Sequence, residues 1–148
     1  MDHKLKLMVV DDSPLFRTWL IRSLSEDDRF QVVGYAVNAL DAQEKIPLLQ
    51  PDMLTLDIEM PGMSGIEFLK QLLPVHPIPV ILVSSLNLRV FDALEAGAVD
   101  FVRKPDEANG LSKEIFLSML RSKLMVAAAS HVHLPSAPAD PQAGGIRK

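Results

Sequence analysis

The chain contains no cysteine. That excludes a disulfide framework, a thiolate metal site and a cysteine nucleophile, and it fits a reducing, cytoplasmic compartment. Positive charge is not in excess either: nineteen acids against fifteen bases give a formal charge of −4. Non-specific nucleic-acid binding needs the opposite balance, because it works by displacing counterions from phosphates. Long apolar runs are also missing. The longest strictly apolar stretch, Leu124 to Ala129, falls far short of the roughly 20 residues that span a bilayer. The opening Met-Asp-His-Lys is not that of a signal peptide. What is present is the material of one soluble domain: 148 residues, 48% of them hydrophobic. A chain of this size buries roughly 70% of its unfolded surface, enough for one core without staples.

Five short runs rich in Val, Ile, Leu or Met punctuate the chain, at Leu5 to Val10, Gln31 to Ala36, Asp52 to Leu56, Val80 to Val83 and Val99 to Val102. Continuous apolar runs of this length predict strands buried on both faces, as in a parallel sheet covered by helices. Helical spacing fills the gaps. Ser13-Pro14 is an N-cap followed by proline at the first helical position, and the helix it opens puts Phe16, Trp19, Leu20, Ser23 and Leu24 on one face. Asn38 precedes Ala39, Ala42, Ile46 and Leu49 in a helix that stops before Pro51. Ser64 precedes Ile66, Leu69, Leu72 and Leu73, ended by Pro74. A short fourth helix, Leu88 to Ala96, ends at Gly97, a left-handed C-cap. The fifth, from about Ser112 to Ala129, sets Ile115, Met119, Leu120, Lys123 and Leu124 near one stripe. A β-α unit repeated five times predicts an α/β, doubly wound fold with right-handed crossovers. Residues 1–129 form that domain. Residues 130–148, with Pro135, Pro138 and Pro141 among small residues, read as an extended linker or tail. His131 and His133 fall there as solvated side chains without further metal ligands.

The polar residues that follow the apolar runs carry the chemistry. Run one ends in Asp11-Asp12, run three in Asp57, run four in Ser84-Ser85 and run five in Arg103-Lys104-Pro105. In an open parallel sheet, ligands bind beyond the carboxyl ends of the strands, so these groups converge on one edge. Three carboxylates there repel one another: two unit charges at 4 Å interact by about 4 kcal/mol at an effective dielectric of 20. A cation or a proton must lie among them. Oxygen ligands without His or Cys suit Mg²⁺. Lys104 then serves as a point charge for an anion beside the metal, and the Ser84 hydroxyl as a donor to it. Together these describe a phosphoryl-transfer site with Asp57 as nucleophile. Each residue alone has a plainer reading: a helix cap for Asp12, Ser13, Ser84 or Ser85, a turn-flanking acid for Asp57 before Pro61-Gly62, a solvated lysine for Lys104, a core aromatic for Phe101. The coincidence of suitable residues at four strand ends favours the site.

Asp11-Asp12-Ser13, Leu56-Asp57-Ile58-Glu59-Met60-Pro61-Gly62-Met63-Ser64-Gly65, Val83-Ser84-Ser85 and Gly97-Ala98-Val99-Asp100-Phe101-Val102-Arg103-Lys104-Pro105 resemble the receiver domain of two-component response regulators, over roughly residues 4 to 128. Asp-Ile-Glu-Met-Pro, Val-Ser-Ser-Leu and the segment ending in Lys104-Pro105 most resemble the N-terminal regulatory domain of the chemotaxis protein-glutamate methylesterase. The resemblance implies a flavodoxin-like (βα)5 sandwich with a parallel five-stranded sheet in the order 2-1-3-4-5. It implies that Asp57 accepts a phosphoryl group from a phosphohistidine on a sensor histidine kinase, that of chemotaxis in the finer assignment. Mg²⁺ would be held by Asp12, Asp57 and the Glu59 backbone carbonyl, and by Asp11 mostly through water. Ser84 and Lys104 would bind phosphate oxygens. Ser84 and Phe101 would act as the switch, reshaping the face of the fourth helix, fifth strand and fifth helix toward an output domain or effector, and leaving pairing of two copies open. The Lys104-Pro105 bond is expected to be cis.

Three features depart from the family pattern. Ser64 stands where Asp usually precedes Gly, and it can still cap the third helix. The segment from Ser85 to Ala96 is short, so partner recognition through the fourth helix is expected to differ. No esterase motif follows the domain; a full-length parent of the methylesterase type would carry its catalytic domain beyond this chain. The chain itself is a regulatory module with self-directed phosphoryl transfer only. The alternatives are an aspartate-nucleophile, Mg²⁺-dependent phosphatase, which normally has Asp where Glu59 stands, and an interaction module that is not phosphorylated.

Overall fold

The computed structural model describes residues 4–60, 62–85 and 89–133. Pro61, Leu88 and the proline-containing stretch from Leu134 onward lie outside the described residues. In chain order the elements are β1 (Leu5–Val10), α1 (Pro14–Ser25), β2 (Phe30–Ala36), α2 (Ala39–Leu49), β3 (Met53–Leu56), α3 (Gly65–Leu72), β4 (Val80–Ser84), α4 (Arg89–Glu95), β5 (Asp100–Arg103), a 3₁₀ turn at Glu107–Asn109, and α5 (Lys113–His133). All strand pairs are parallel, in the order β2-β1-β3-β4-β5. This is the expected flavodoxin-like α/β arrangement.

Alternation along the strands builds two cores. Met8, Val10, Leu54, Leu56, Val80 and Leu82 face α2, α3 and α4, where Ile46, Phe68, Leu69 and Val90 meet them. Leu7, Val9, Met53, Ile81 and Val83 face α1 and α5, against Leu20, Leu24, Phe116, Leu120 and Leu124. Side chains alternate because the strand period is two. The central strands β1, β3 and β4 are therefore apolar on both sides, as the continuous runs predict. The edge strands differ: Gln31 and Tyr35 of β2 are exposed, and only Val102 of β5 is buried. An edge strand is covered less completely, so its apolar run does not guarantee burial on both faces.

The caps are those the sequence predicts. The side chains of Ser13, Asn38 and Ser64 accept hydrogen bonds from the backbone N–H groups of Phe16, Asp41 and Glu67. Gly97 takes φ +121°, the left-handed conformation expected after α4. Two expectations are corrected in α5. Its buried stripe is Phe116, Leu120, Leu124, Ala127 and Ala128, while Ile115 and Met119 are 51% and 45% exposed. Apolar residues lie on adjacent faces of this helix, and the larger Phe116 ring takes the sheet side. The helix also runs to His133 rather than stopping near Ala129. Ala127 to Ala129 are strong helix formers, and the first proline comes only at 135, where it disfavours helix from the preceding residue. His131 and His133 thus belong to α5 and not to an extended tail. Among the described residues no helix is long and apolar enough to cross a membrane.

Candidate functional site

Strand register places the polar residues side by side. Val10 pairs with Leu56, Leu56 with Leu82, and Ser84 with Arg103. The next backbone hydrogen bonds continue the ladders past the strand ends: Asp11 N–H donates to the Ala36 carbonyl, Asp57 N–H to Val10 and Lys104 N–H to Ser84, at 2.9–3.1 Å. Asp11, Asp57, Ser84 and Lys104 therefore sit at one edge. The strand order reverses between β1 and β3, the crevice where open α/β sheets bind ligands.

Asp57 is buried and fully engaged. Its Oδ1 accepts from the Ser84 hydroxyl at 3.3 Å and from the Glu59 N–H at 3.0 Å, and its Oδ2 accepts from Lys104 Nζ at 3.2 Å. Lys104 Nζ also contacts Asp11 Oδ2 at 3.1 Å, so one ammonium bridges two carboxylates. Asp11 Oδ1 accepts from the Ser13 N–H at 2.8 Å. Asp12 is exposed at the rim. Phe101 of β5 is half-buried against the α2–α4 core.

Burial dominates the electrostatics of Asp11 and pushes its carboxyl above the usual range; the Ser13 N–H and the Lys104 charge pull it back only in part. For Lys104 the balance goes the other way. Burial alone would lower it, yet Asp11 and Asp57 together outweigh that and hold it above the ordinary lysine value. A half-buried ammonium held charged by two carboxylates is a fixed point charge, as an incoming anion requires.

Carboxylate oxygens of Asp11, Asp12 and Asp57 lie within 4.8 Å of one another. Octahedral Mg²⁺ with oxygens at about 2.1 Å places them about 3–4 Å apart, so these three acids fit a Mg²⁺ ion with only a small inward movement. The donors are all hard oxygen, and the set leaves room for the waters that Mg²⁺ retains.

Two contacts around the site escape a reading of the sequence. Arg17 donates from Nη1 to the Asp11 carbonyl at 2.8 Å and stacks over Tyr35, with Cζ 4.6 Å from the ring centroid. Gly65 N–H donates to the Ile58 carbonyl, holding α3 against the loop that follows Asp57. Their spacing from the acids carries no period that would flag either.

The profile described as response regulator receiver domain matches residues 7–116. Among curated proteins the chain is similar to the protein-glutamate methylesterase/protein-glutamine glutaminase 2 of Syntrophomonas wolfei, 46% identical over 130 residues. It is also similar to that of Vibrio vulnificus, 43% identical over 136 residues. The matches cover 88% and 89% of this chain but only 38% and 39% of those proteins, so the chain spans well under half their length. Among solved structures, the response regulator domain of Thermotoga maritima CheB superposes with a TM-score of 0.75 at 37% identity, covering 86% of this chain and 98% of that domain. A chain in the crystal structure of the P1 domain of CheA3 in complex with CheY6 from R. sphaeroides gives a TM-score of 0.69 at 28% identity, over 84% and 97%.

Proposed function

The chain belongs to the response regulator receiver domain family, and on that premise we propose that it is a phosphorylatable switch in which Asp57 takes a phosphoryl group from a phosphohistidine on a sensor kinase. The observation that supports this most directly is the meeting of Asp57 with Lys104, Ser84, Asp11 and Asp12 at one sheet edge. A carboxylate oxygen of Asp57 attacks phosphorus, the N–P bond of the donor breaks, and the released imidazole nitrogen recovers its electron pair. Asp12, Asp57 and the Glu59 carbonyl, with Asp11 mostly through water, would hold a Mg²⁺ ion, which when bound would supply positive charge to the transferring phosphoryl oxygens. Lys104 turns its ammonium from the two carboxylates to a phosphoryl oxygen, and the Ser84 hydroxyl donates to another.

Once modified, Asp57 exchanges an acceptor-only carboxylate for a group with three outward oxygens, which recruit Ser84 and Lys104. Movement of Ser84 frees space toward which the half-buried Phe101 ring turns. The change reaches the α4-β5-α5 face, where Phe91, Val99, Ile115 and Met119 are exposed, apolar residues suited to a partner surface. Given relatives named as protein-glutamate methylesterases, the output gated is an activity of that kind in cytoplasmic chemotaxis signalling.

Intact mass after incubation with acetyl phosphate and Mg²⁺ tests the assignment. The wild type gains one phosphoryl group and Asp57→Asn gains none. No adduct on the wild type, or the same adduct on the variant, sinks it. Steady multiple turnover of phosphate esters would instead support the phosphatase reading.

A further inference from the structure

Phe16 lies in the first turn of α1, and its ring stands against the Lys104 ammonium, with Nζ 4.6 Å from the ring centroid. Two other aromatics brace that ring: Trp19 at 5.7 Å and Phe116 of α5 at 5.9 Å between centroids, Trp19 and Phe116 themselves being 6.0 Å apart. Phe16 and Trp19 are three residues apart and so share a face of α1. Trp19 has a cation of its own, Lys113 Nζ at 5.2 Å, so the triad does not draw Lys104 away toward a vacant second ring.

The lysine needs such a support. Its stem is flexible and its ammonium a compact charge, shared between Asp11 Oδ2 and Asp57 Oδ2. When either carboxylate is engaged elsewhere, by a cation or by a phosphoryl group, that tether is lost. The negative face of an aromatic ring attracts the ammonium without competing for a hydrogen bond, and it keeps water off that side. We propose that Phe16 is a positioning residue for phosphoryl transfer: its ring, held by Trp19 and Phe116, keeps the Lys104 ammonium beside Asp57. The proposal rests on Asp57 being the phosphoacceptor.

The test compares full-chain wild type, Phe16→Leu and Phe16→Tyr with protein carrying difluorophenylalanine at position 16, which keeps the ring's shape but weakens its negative face. Phosphorylation by acetyl phosphate in Mg²⁺ is followed over a range of donor concentrations, separating the maximal rate from the half-saturating concentration, with thermal unfolding measured in parallel. Phe16→Leu is expected to lower the maximal rate roughly fivefold to tenfold. Tyr restores it to within about twofold, and the fluorinated ring falls between. A leucine variant as fast as wild type overturns the proposal. So does a fluorinated protein as fast as wild type, since the ring would then act by shape alone; this variant carries the test if the leucine variant fails to fold. A wild type that takes up no phosphoryl group overturns the Asp57 reading itself, whereas a phosphorylated wild type with an unaffected leucine variant overturns this inference alone.

Discussion

Gly65 shows how closely single residues are fitted around the site. As the first residue of α3 it would gain, on replacement by alanine, at most the roughly 0.5–1 kcal/mol that helix propensity is worth in a helix interior. A Cβ there would fall 2.6 Å from the Ile58 Cα, a backbone atom that cannot move aside without shifting the loop after Asp57. Overpacking of this kind costs about 1–3 kcal/mol, so the contact outweighs the propensity. Gly65→Ala is expected to destabilise the fold, read as a lower denaturant midpoint with an unchanged slope; a stabilised variant would show that α3 can retreat freely. The same reasoning explains which site residues are legible from the chain. Asp11 and Asp57 follow an apolar run directly and Lys104 comes one residue after Arg103, and strand register turns these positions into proximity. Arg17 and Phe16 sit on α1 with partners supplied by other segments, the Asp11 carbonyl and Tyr35 for one and Lys104 for the other. Nothing local marks them out.

Helices and strands obey the same division. The α/β class and the parallel pairing follow from repeated β-α units with right-handed crossovers, whereas the strand order 2-1-3-4-5 is implied by the family resemblance. Caps at Ser13, Asn38, Ser64 and Gly97 are local chemistry and are read correctly. The facing of α5 is not, because apolar residues occupy neighbouring faces and only the docked sheet decides between them. Phe68 of α3 is fully buried though the sequence pattern favours Ile66, which is only partly covered. This gives a contrast between two adjacent residues of α5. Phe116→Ala is expected to cost about 3–5 kcal/mol, as a large core side chain removed, while Ile115→Ala stays within about 0.5 kcal/mol. Chemical denaturation of both variants checks it, and equal losses would reverse the facing assigned here. Lys123 adds a polar tie between α5 and β5, its Nζ reaching the Phe101 carbonyl at 2.7 Å and Asp100 Oδ1 at 3.1 Å. The strand that carries Phe101 is thereby fastened to the helix at the centre of the proposed output face.

Taken as a whole, the molecule carries a local debt of charge that its total of −4 conceals. Three carboxylates meet one ammonium at the sheet edge, and the fold bears the residual repulsion. A divalent cation bound there is expected to raise stability by about 2.7 kcal/mol at a hundredfold excess over its Kd, seen as a higher Tm at roughly 2–4 °C per kcal/mol. Chelation should reverse the rise and Asp12→Ala should shrink it; a Tm indifferent to Mg²⁺ would argue against the ion. The pH dependence has a definite sign. Burial raises Asp11, so the folded chain binds that proton more tightly than the unfolded one. The contribution of Asp11 to metal-free stability therefore grows as pH falls from above its raised value toward the ordinary carboxylate value, opposed by Asp27, which Arg29 holds below that value. The increment from Mg²⁺ declines over the same range as protons compete for the same oxygens. The placement of the site also bears on synthesis. Asp11 follows the first strand and Lys104 the last, with Asp57 between them. A nascent or truncated chain that ends before β5 has the acids and Ser84 but lacks the ammonium that bridges Asp11 and Asp57. On the proposed reading, the full phosphoryl-binding set would be complete only with the final strand, and an unfinished molecule would be a poor receiver of the signal.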